Sequence, residues 1–219
     1  DHYPVMVQND QRVIRHDFYS NLEVISAEAR KSGKPMWAFA LSISHYSYPV
    51  PTISDLRLQV YSNLAYGAQC IQYFTYFPAL GSDLGPVNNQ GNPNPVYYVL
   101  QQMNEEIKAR SKVFLNAKVQ WTAHTGEIPA GCVELDKSQL PAAIHSLEIS
   151  DPGALVSLLE KGNDSFLVIV NHGLGSKITV KVSGTKELRR IKKDGSSVPV
   201  DAGLTLAPGD ALIYFWKNK

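Results

Sequence analysis

The sequence predicts an α/β unit followed by an all-β unit, and two observations support this fold class. Residues 34–76 have a strand, helix, strand order with near-continuous apolar strands, which is typical of parallel strands covered by helices. From residue 118 onward, short strand-like segments follow one another between turns of Gly, Asn and Asp, which favours an antiparallel β-sandwich. We therefore predict two domains, residues 1–117 and residues 118–219.

The first α/β segment consists of an extended start over residues 1–8, a polar loop, and a helix from Asp17 to Ser32. Asp17 is a good N-cap residue, and Gly33 suits the left-handed conformation that ends many helices. Apolar residues repeat at steps of four, three and four along one face of this helix, namely Phe18, Leu22, Ile25 and Ala29. That spacing indicates an amphipathic helix.

The next segments are an apolar strand over residues 34–44, a helix from about Ser54 to Tyr66, and an aromatic strand over residues 69–77. Gly67 is expected to end the helix. In parallel sheets, the chemistry lies at the carboxyl ends of the strands. Functional residues are therefore expected directly after each of these strands.

A long loop over residues 78–94 follows the second strand, and loops of this length in compact domains are often functional. A helix is predicted to open at Asn94, with Pro95 in its first turn, and to continue to about Asn116. The acids on the three helices are expected to face solvent, namely Glu23, Glu28, Asp55, Glu105 and Glu106.

The second unit is predicted to contain about seven short strands. These cover residues 118–123, 131–135, 154–159, 165–171, 177–183, 187–192 and 210–216. Turns are expected at Gly162–Asp164 and at Lys193–Ser196, where Asp-Gly favours a tight hairpin.

The amino-acid composition argues against several classes of function. The 219 residues carry a formal net charge of +1, so no bulk field favours nucleic acid or an anionic membrane. No run of 18 apolar residues predicts a membrane span. The two cysteines, Cys70 and Cys132, fall in different predicted domains and are expected to be free thiols. Neither the cysteines nor the histidines of the second domain have metal-ligand spacing, so no metal site is predicted.

The strand ends carry rings and hydroxyls rather than carboxylates. The candidate substrate-binding residues are Tyr3, His45, Tyr46, Tyr48, Tyr73 and Tyr76. Exposed aromatic rings suit the C–H faces of sugars, and the alternative is that these rings only pack their loops onto the sheet. Trp37 is expected to pack in the core.

Several of these segments together resemble the clan A glycoside hydrolases, and most closely the family 42 β-galactosidase-like enzymes. Asp1–Pro4 resembles the end of that family's sixth barrel strand, Lys34–Ala40 its seventh strand, and Gln72–Tyr76 its eighth strand. Arg57–Gln69 is similar to the helix before the eighth strand, and Leu206–Tyr214 to the end of a C-terminal β-domain. The resemblance implies the last three β/α units of a TIM-type (β/α)8 barrel, followed by a β-sandwich.

This resemblance also implies which catalytic groups are missing. These enzymes use two carboxyl groups about 5 Å apart. In the family the acid/base Glu follows the fourth strand, which would lie before residue 1. Laying Trp37 on a family-typical Trp puts Ala40 at the position of the nucleophile. Asp1 and Asp83 are the only acids expected near the active face, and Asp83 is expected to form a turn.

The function implied by the resemblance is therefore hydrolysis of a glycosidic bond, of the β-galactoside type, in an intact parent protein. That chemistry needs no metal or organic cofactor. The isolated chain is predicted to be inactive, and the alternative is a non-catalytic glycan-binding or scaffolding protein. The expected partners are an oligosaccharide or polysaccharide and either a second copy or another chain that completes the barrel. Family analogy points to a periplasmic or extracellular location.

A complete barrel needs eight strands and roughly 250 residues. Three strands in the first 116 residues therefore predict a fragment, a truncated reading frame or one piece of a split barrel.

Overall fold

The computed structural model describes residues 2–218, and it begins with a β-hairpin. Strands β1 (Val5–Gln8) and β2 (Gln11–Ile14) pair antiparallel. Asn9 and Asp10 between them have φ angles of 49° and 60°. Two consecutive residues with positive φ are what a tight type I′ hairpin requires, and Asn and Asp tolerate that conformation better than most residues. The predicted polar loop is thus the turn and second strand of a hairpin.

Helix α1 (Phe18–Ser32) has the predicted limits. Asp17 occupies the N-cap position, and Gly33 ends the helix with a φ of 67°. Phe18, Tyr19 and Leu22 are buried, whereas Ile25, predicted on the same face, is 41% exposed. The apolar face therefore packs inward over the first half of the helix, and the predicted burial of Ile25 is wrong.

The central β/α unit is formed by β3 (Met36–Leu41), α2 (Ile53–Ala65) and β4 (Ala68–Phe74), and its two strands are parallel. Thr52 and Asp55 form a capping box at the start of α2, because each side chain accepts a hydrogen bond from the other residue's backbone. This arrangement satisfies two of the free N–H groups at the helix start. The predicted parallel pair is confirmed.

Only these two strands are parallel in the part of the chain that the structure describes, whereas three were predicted. Residues 2–4, expected to end a third parallel strand, lie outside any strand. Pro4 has no N–H to donate to a ladder, and the chain after it pairs with β2 instead of β3.

The two faces of β3 contact different cores. Ala38 and Ala40 belong to the main core, together with α2. Leu41 and the partly buried Phe39 belong to a smaller apolar cluster that contains Tyr3. Successive side chains of a strand point to opposite faces, so Ala40 faces the helices and Phe39 faces away from them.

The predicted helix over residues 94–116 is divided at Arg110. Helix α3 covers Pro95–Ala109, with Pro95 in its first turn, and the short helix α4 covers Ser111–Phe114. Arg110 is almost fully buried at the junction.

The rest of the chain forms two antiparallel sheets. Its strands are β5 (Lys118–His124), β6 (Ile144–Ile149), β7 (Ala154–Lys161), β8 (Asp164–Asn171), β9 (Ile178–Gly184), β10 (Arg189–Ile191), β11 (Ser197–Pro199), β12 (Leu204–Leu206) and β13 (Ala211–Lys217). One sheet has the order β11-β10-β13-β8-β7-β5, and the other has the order β12-β9-β6. The turns predicted before β8 and β11 are present.

After residue 118, three of the observed strands are absent from the prediction, and one predicted strand does not form. Strands β11 and β12 have three residues each, too few to produce a sequence pattern, and β6 was also missed. The segment over residues 131–135, predicted as a strand, makes only one isolated bridge, between His124 and Glu134. Gly131 has a positive φ of 77°, which is incompatible with an extended strand at that point.

The larger sheet is buried on both faces. Phe166, Val168 and Ile213 pack against the helices, whereas Leu167 and Ile169 pack against the smaller sheet. The main core therefore contains residues from both sides of position 118. None of the helices within residues 2–218 is long and apolar enough to cross a membrane.

A buried network of charged groups joins the helices to this sheet. Glu106 on α3 pairs with Arg57 on α2 and accepts a hydrogen bond from Tyr61 at 3.2 Å. Arg110 donates to the hydroxyl of Tyr61 at 2.8 Å and to the backbone oxygen of Ala211 at 3.3 Å. The expectation that Glu106 faces solvent is therefore wrong, because the carboxylate is the partner of a buried guanidinium.

Candidate functional site

The loop after β3 places one tyrosine ring in solvent. His45 and Tyr48 exchange two backbone hydrogen bonds of 3.1 and 2.8 Å, which closes a tight turn around Tyr46 and Ser47. Tyr46 has a positive φ of 49° and an exposed fraction of 88%. The backbone N–H of Val7 in the hairpin donates to the oxygen of Ser47 at 2.7 Å. The turn is therefore held from both sides while its tip presents an aromatic ring.

Four rings pack together beneath this turn, and we call them the rim cluster: Tyr3, His45, Tyr48 and Phe74. The Tyr48 ring lies 5.4 Å from that of Tyr3 and 5.1 Å from that of His45. Phe74, at the end of β4, lies 5.6 Å from His45. The cluster therefore joins the loop after β3 to the end of β4, as the parallel arrangement predicts.

Tyr48 is fixed at its polar end as well. Its hydroxyl accepts a hydrogen bond of 3.0 Å from Arg15, and Arg15 donates to Asp17 at 2.7 Å. The hydrogen bond from Arg15 is the main reason that the pKa of Asp17 is lowered to about 2. Asp17 thus stays ionised at neutral pH and orients Arg15 toward Tyr48.

Tyr3 lies under this loop with only 4% of its surface exposed. Burial, with the neighbouring Tyr48, raises the pKa of Tyr3 to about 12. Its hydroxyl has no hydrogen-bond partner among the described residues. In this conformation the ring packs the loop onto the sheet, and a ligand reaches it only if the loop moves.

The other two predicted residues, Tyr73 and Tyr76, lie apart from the rim cluster. They line a cavity of about 400 Å³ between β4 and α3, together with Pro86, Tyr97, Leu100, Gln101, Asn104, Glu105 and Lys108. The hydroxyl of Tyr73 donates to Asn104 at 2.9 Å. Tyr76 is 52% exposed, so this cavity also presents an aromatic ring to solvent.

The residue predicted at the nucleophile position does not face the rim. Ala40 is fully buried in the main core and pairs in register with Tyr73. Trp37 lies on the opposite face of β3 and is 64% exposed. The expected core position of Trp37 is therefore wrong, because no described strand or helix covers that face at this point.

The acids expected near the rim do not form a catalytic pair in the described residues. A carboxylate oxygen of Asp83 accepts a hydrogen bond of 2.6 Å from the backbone N–H of Asn89, which closes the loop after β4. Asp1 lies outside the described residues. Asp55, expected in solvent, is buried and accepts hydrogen bonds from Thr52 and Arg12.

A second polar group, which no sequence spacing indicates, lies where α1 meets β5. Tyr66 donates to Glu23 at 2.8 Å, and its hydroxyl lies 3.1 Å from Nε2 of His124. Nδ1 of His124 lies 3.4 Å from Nδ1 of His172. Burial lowers the pKa of both histidines, that of His124 to about 3. Both imidazoles are therefore neutral at physiological pH.

No protein-family model matches the sequence, and no curated protein matches it significantly. The similar solved structures include glycosidases. A Thermotoga maritima α-fucosidase in complex with fucose has a TM-score of 0.44 and 12% identity, over 84% of this chain and 40% of that chain. The apo exo-carrageenase GH42 from Bacteroides ovatus has a TM-score of 0.47 and 11% identity, over 85% of this chain and 42% of that chain.

The α-amylase from Geobacillus thermoleovorans complexed with acarbose has a TM-score of 0.47 and 10% identity, over 92% of this chain and 43% of that chain. This chain spans less than half the length of these proteins. Because the TM-scores are below 0.5, we do not infer the activity of this chain from the activities of these proteins.

Proposed function

We propose that this chain supplies the C-terminal part of a glycosidase-type barrel and that its strand ends bind carbohydrate. The observation that supports this most is the exposure of Tyr46 and Tyr76, which follow two adjacent parallel strands. Large exposed aromatic rings of this kind lose solvent contact favourably when a ligand covers them. A sugar offers apolar C–H faces to such rings and hydroxyls to the polar groups around them.

The substrate class follows from the resemblance of Lys34–Ala40 and Gln72–Tyr76 to family 42 strands. We infer a β-galactoside-type oligosaccharide as the ligand. On its own, this chain binds the oligosaccharide and does not hydrolyse it. Asp83 is engaged in its own loop, and hydrolysis needs two correctly spaced carboxyl groups.

The open parallel sheet supports a partner that supplies further barrel strands. Within residues 2–218, β3 and β4 pair only with each other, and unpaired strand edges favour association. We propose that a second copy or another polypeptide covers these edges. Light scattering during size-exclusion chromatography should give a mass above the 24.2 kDa of one chain. A strictly monomeric and fully soluble chain would contradict this proposal.

Calorimetric titration with galacto-oligosaccharides tests the binding function. Binding is expected for the unmodified chain, and Tyr46→Ala should weaken it about tenfold, which corresponds to roughly 1.4 kcal/mol. The side chain of Tyr46 is almost entirely in solvent, so its removal should leave the fold intact. Tyr98→Ala is the matched control, because Tyr98 is 59% exposed on α3 and does not line the cavity of Tyr73 and Tyr76.

Two results would reject the proposal. One is that no oligosaccharide of the panel produces binding heat in calorimetry or a chemical-shift change in NMR spectra. The other is equal weakening by Tyr46→Ala and Tyr98→Ala, since that would mean that the rim has no special role. Release of nitrophenol from aryl β-galactosides by this chain alone would instead overturn the absence of catalysis.

A further inference from the structure

Three potential metal ligands converge where α1, β5 and the loop after β5 meet. A carboxylate oxygen of Glu23, a ring nitrogen of His124 and the thiol of Cys132 all lie within 4.8 Å of one another. His124 is fully buried, whereas Glu23 and Cys132 are half-buried. We infer that these three side chains form a binding site for a divalent metal ion, and that the ion is Zn²⁺.

The donor set favours Zn²⁺ over Ca²⁺ and Mg²⁺. Zn²⁺ binds thiolate, imidazole and carboxylate groups, usually four in a tetrahedron. Ca²⁺ and Mg²⁺ prefer oxygen ligands alone, so a set with one sulfur and one nitrogen disfavours them. The hydroxyl of Tyr66, which already contacts Glu23 and His124, or a water molecule fills the fourth position.

Neighbouring side chains orient and restrain the three proposed ligands. His172 contacts the second ring nitrogen of His124, and such an outer partner orients a ligating imidazole. Thr122 donates to Glu23 at 3.2 Å, which restrains the carboxylate. Tyr19 packs edge-on against the ring of His124, with centroids 4.8 Å apart. The ligands are therefore held close to a binding geometry before a metal arrives.

Binding requires one deprotonation. An ordinary cysteine thiol is mostly protonated at neutral pH, so the free protein carries Cys132 in the S–H form. Zn²⁺ forms the Zn–S bond as the thiol proton leaves to solvent, which is the usual coupling of metal binding to proton release. Because Glu23 and Cys132 are only half-buried, both the ion and the proton have a route to solvent.

The position of the site predicts a stabilising role. Glu23 comes from α1, whereas His124 comes from β5 and Cys132 from the loop that follows it. An ion bound only by the folded state stabilises that state. Zn²⁺ at this point would therefore fasten α1 to the larger sheet.

The purified full chain, stripped with a chelator, should bind one equivalent of Zn²⁺ in calorimetry, and its melting temperature should rise with added metal. Substitution by Co²⁺ should give a thiolate-to-cobalt charge-transfer band. Cys132→Ser and Glu23→Gln should each weaken Zn²⁺ binding by about 100-fold or more, and Cys132→Ser should abolish the cobalt band. An outer-partner change, His172→Gln, should weaken binding by about 10- to 100-fold.

Cys70→Ser and His145→Ala are the matched controls, because they remove a second half-buried thiol and an exposed imidazole elsewhere. Both should leave Zn²⁺ affinity unchanged. The proposal is overturned if the stripped chain takes up no Zn²⁺ at micromolar concentration. It is also overturned if Cys132→Ser, shown to be folded by circular dichroism, binds Zn²⁺ as tightly as the unmodified chain.

Discussion

Replacing Glu106 with glutamine should lower the free energy of unfolding by roughly 3–5 kcal/mol, the usual cost of removing one partner from a buried ion pair. The Arg57 side chain is only 12% exposed, so it cannot regain water without moving. The substitution keeps the size of the side chain and removes its charge. The loss therefore reports the uncompensated guanidinium and not a cavity.

The effect is expected to extend beyond this single pair. Tyr61 donates to Glu106 and accepts from Arg110, and Arg110 donates to backbone oxygens of the larger sheet. A buried side-chain network of this kind can contribute more than the sum of its pairwise interactions. The change at position 106 should therefore loosen the attachment of α2 and α3 to the sheet.

Urea denaturation followed by circular dichroism measures the change. Glu105→Gln is the matched control, because it makes the same substitution one residue away on the exposed face of α3. Its effect should stay within about 0.5 kcal/mol. A loss below 1 kcal/mol for Glu106→Gln would show that the network contributes little.

Elements with local signals could be predicted from the sequence. Helix α1 has its cap residue, its apolar repeat and its closing glycine within the segment itself, so no distant contact is needed to place it. The same holds for β7 and β8, which are joined at Gly162 with a φ of 58°. By contrast, β11 and β12 exist only because they pair with β10 and β9, and three residues carry no periodicity of their own.

Side-chain environment was harder to predict than the elements. Glu106 has the sequence context of a solvent-facing helix residue, and only the arrival of Arg57 from α2 makes its burial favourable. The ligand group of Glu23, His124 and Cys132 likewise combines distant segments, so no spacing rule could find it. The aromatic candidates were recognisable because they lie at or after the ends of β3 and β4, but their division between the rim cluster and the cavity depends on how β4 and α3 pack.

Replacing Ala40 with glutamate should unfold the chain or cost more than about 4 kcal/mol, a loss found only for severe core defects. Ala40 is buried in the main core and has no solvent-exposed surface. An unpaired carboxylate at this position would lose its hydration. No hydrolysis of aryl β-galactosides should appear, because the new side chain would point at α2 and not toward the rim. Circular dichroism, urea denaturation and a nitrophenol-release assay measure these outcomes.

Trp37→Glu is the control on the same strand, since Trp37 lies on the opposite face and is 64% exposed. It should remain folded and lose no more than about 1 kcal/mol. A stable, active Ala40→Glu variant would mean that the strand presents position 40 to the rim, as the alignment of Trp37 with the family tryptophan implies. An unfolded Ala40→Glu variant beside a folded Trp37→Glu variant would instead agree with a strand whose position 40 faces the main core and whose position 37 faces solvent, because side chains alternate along a strand.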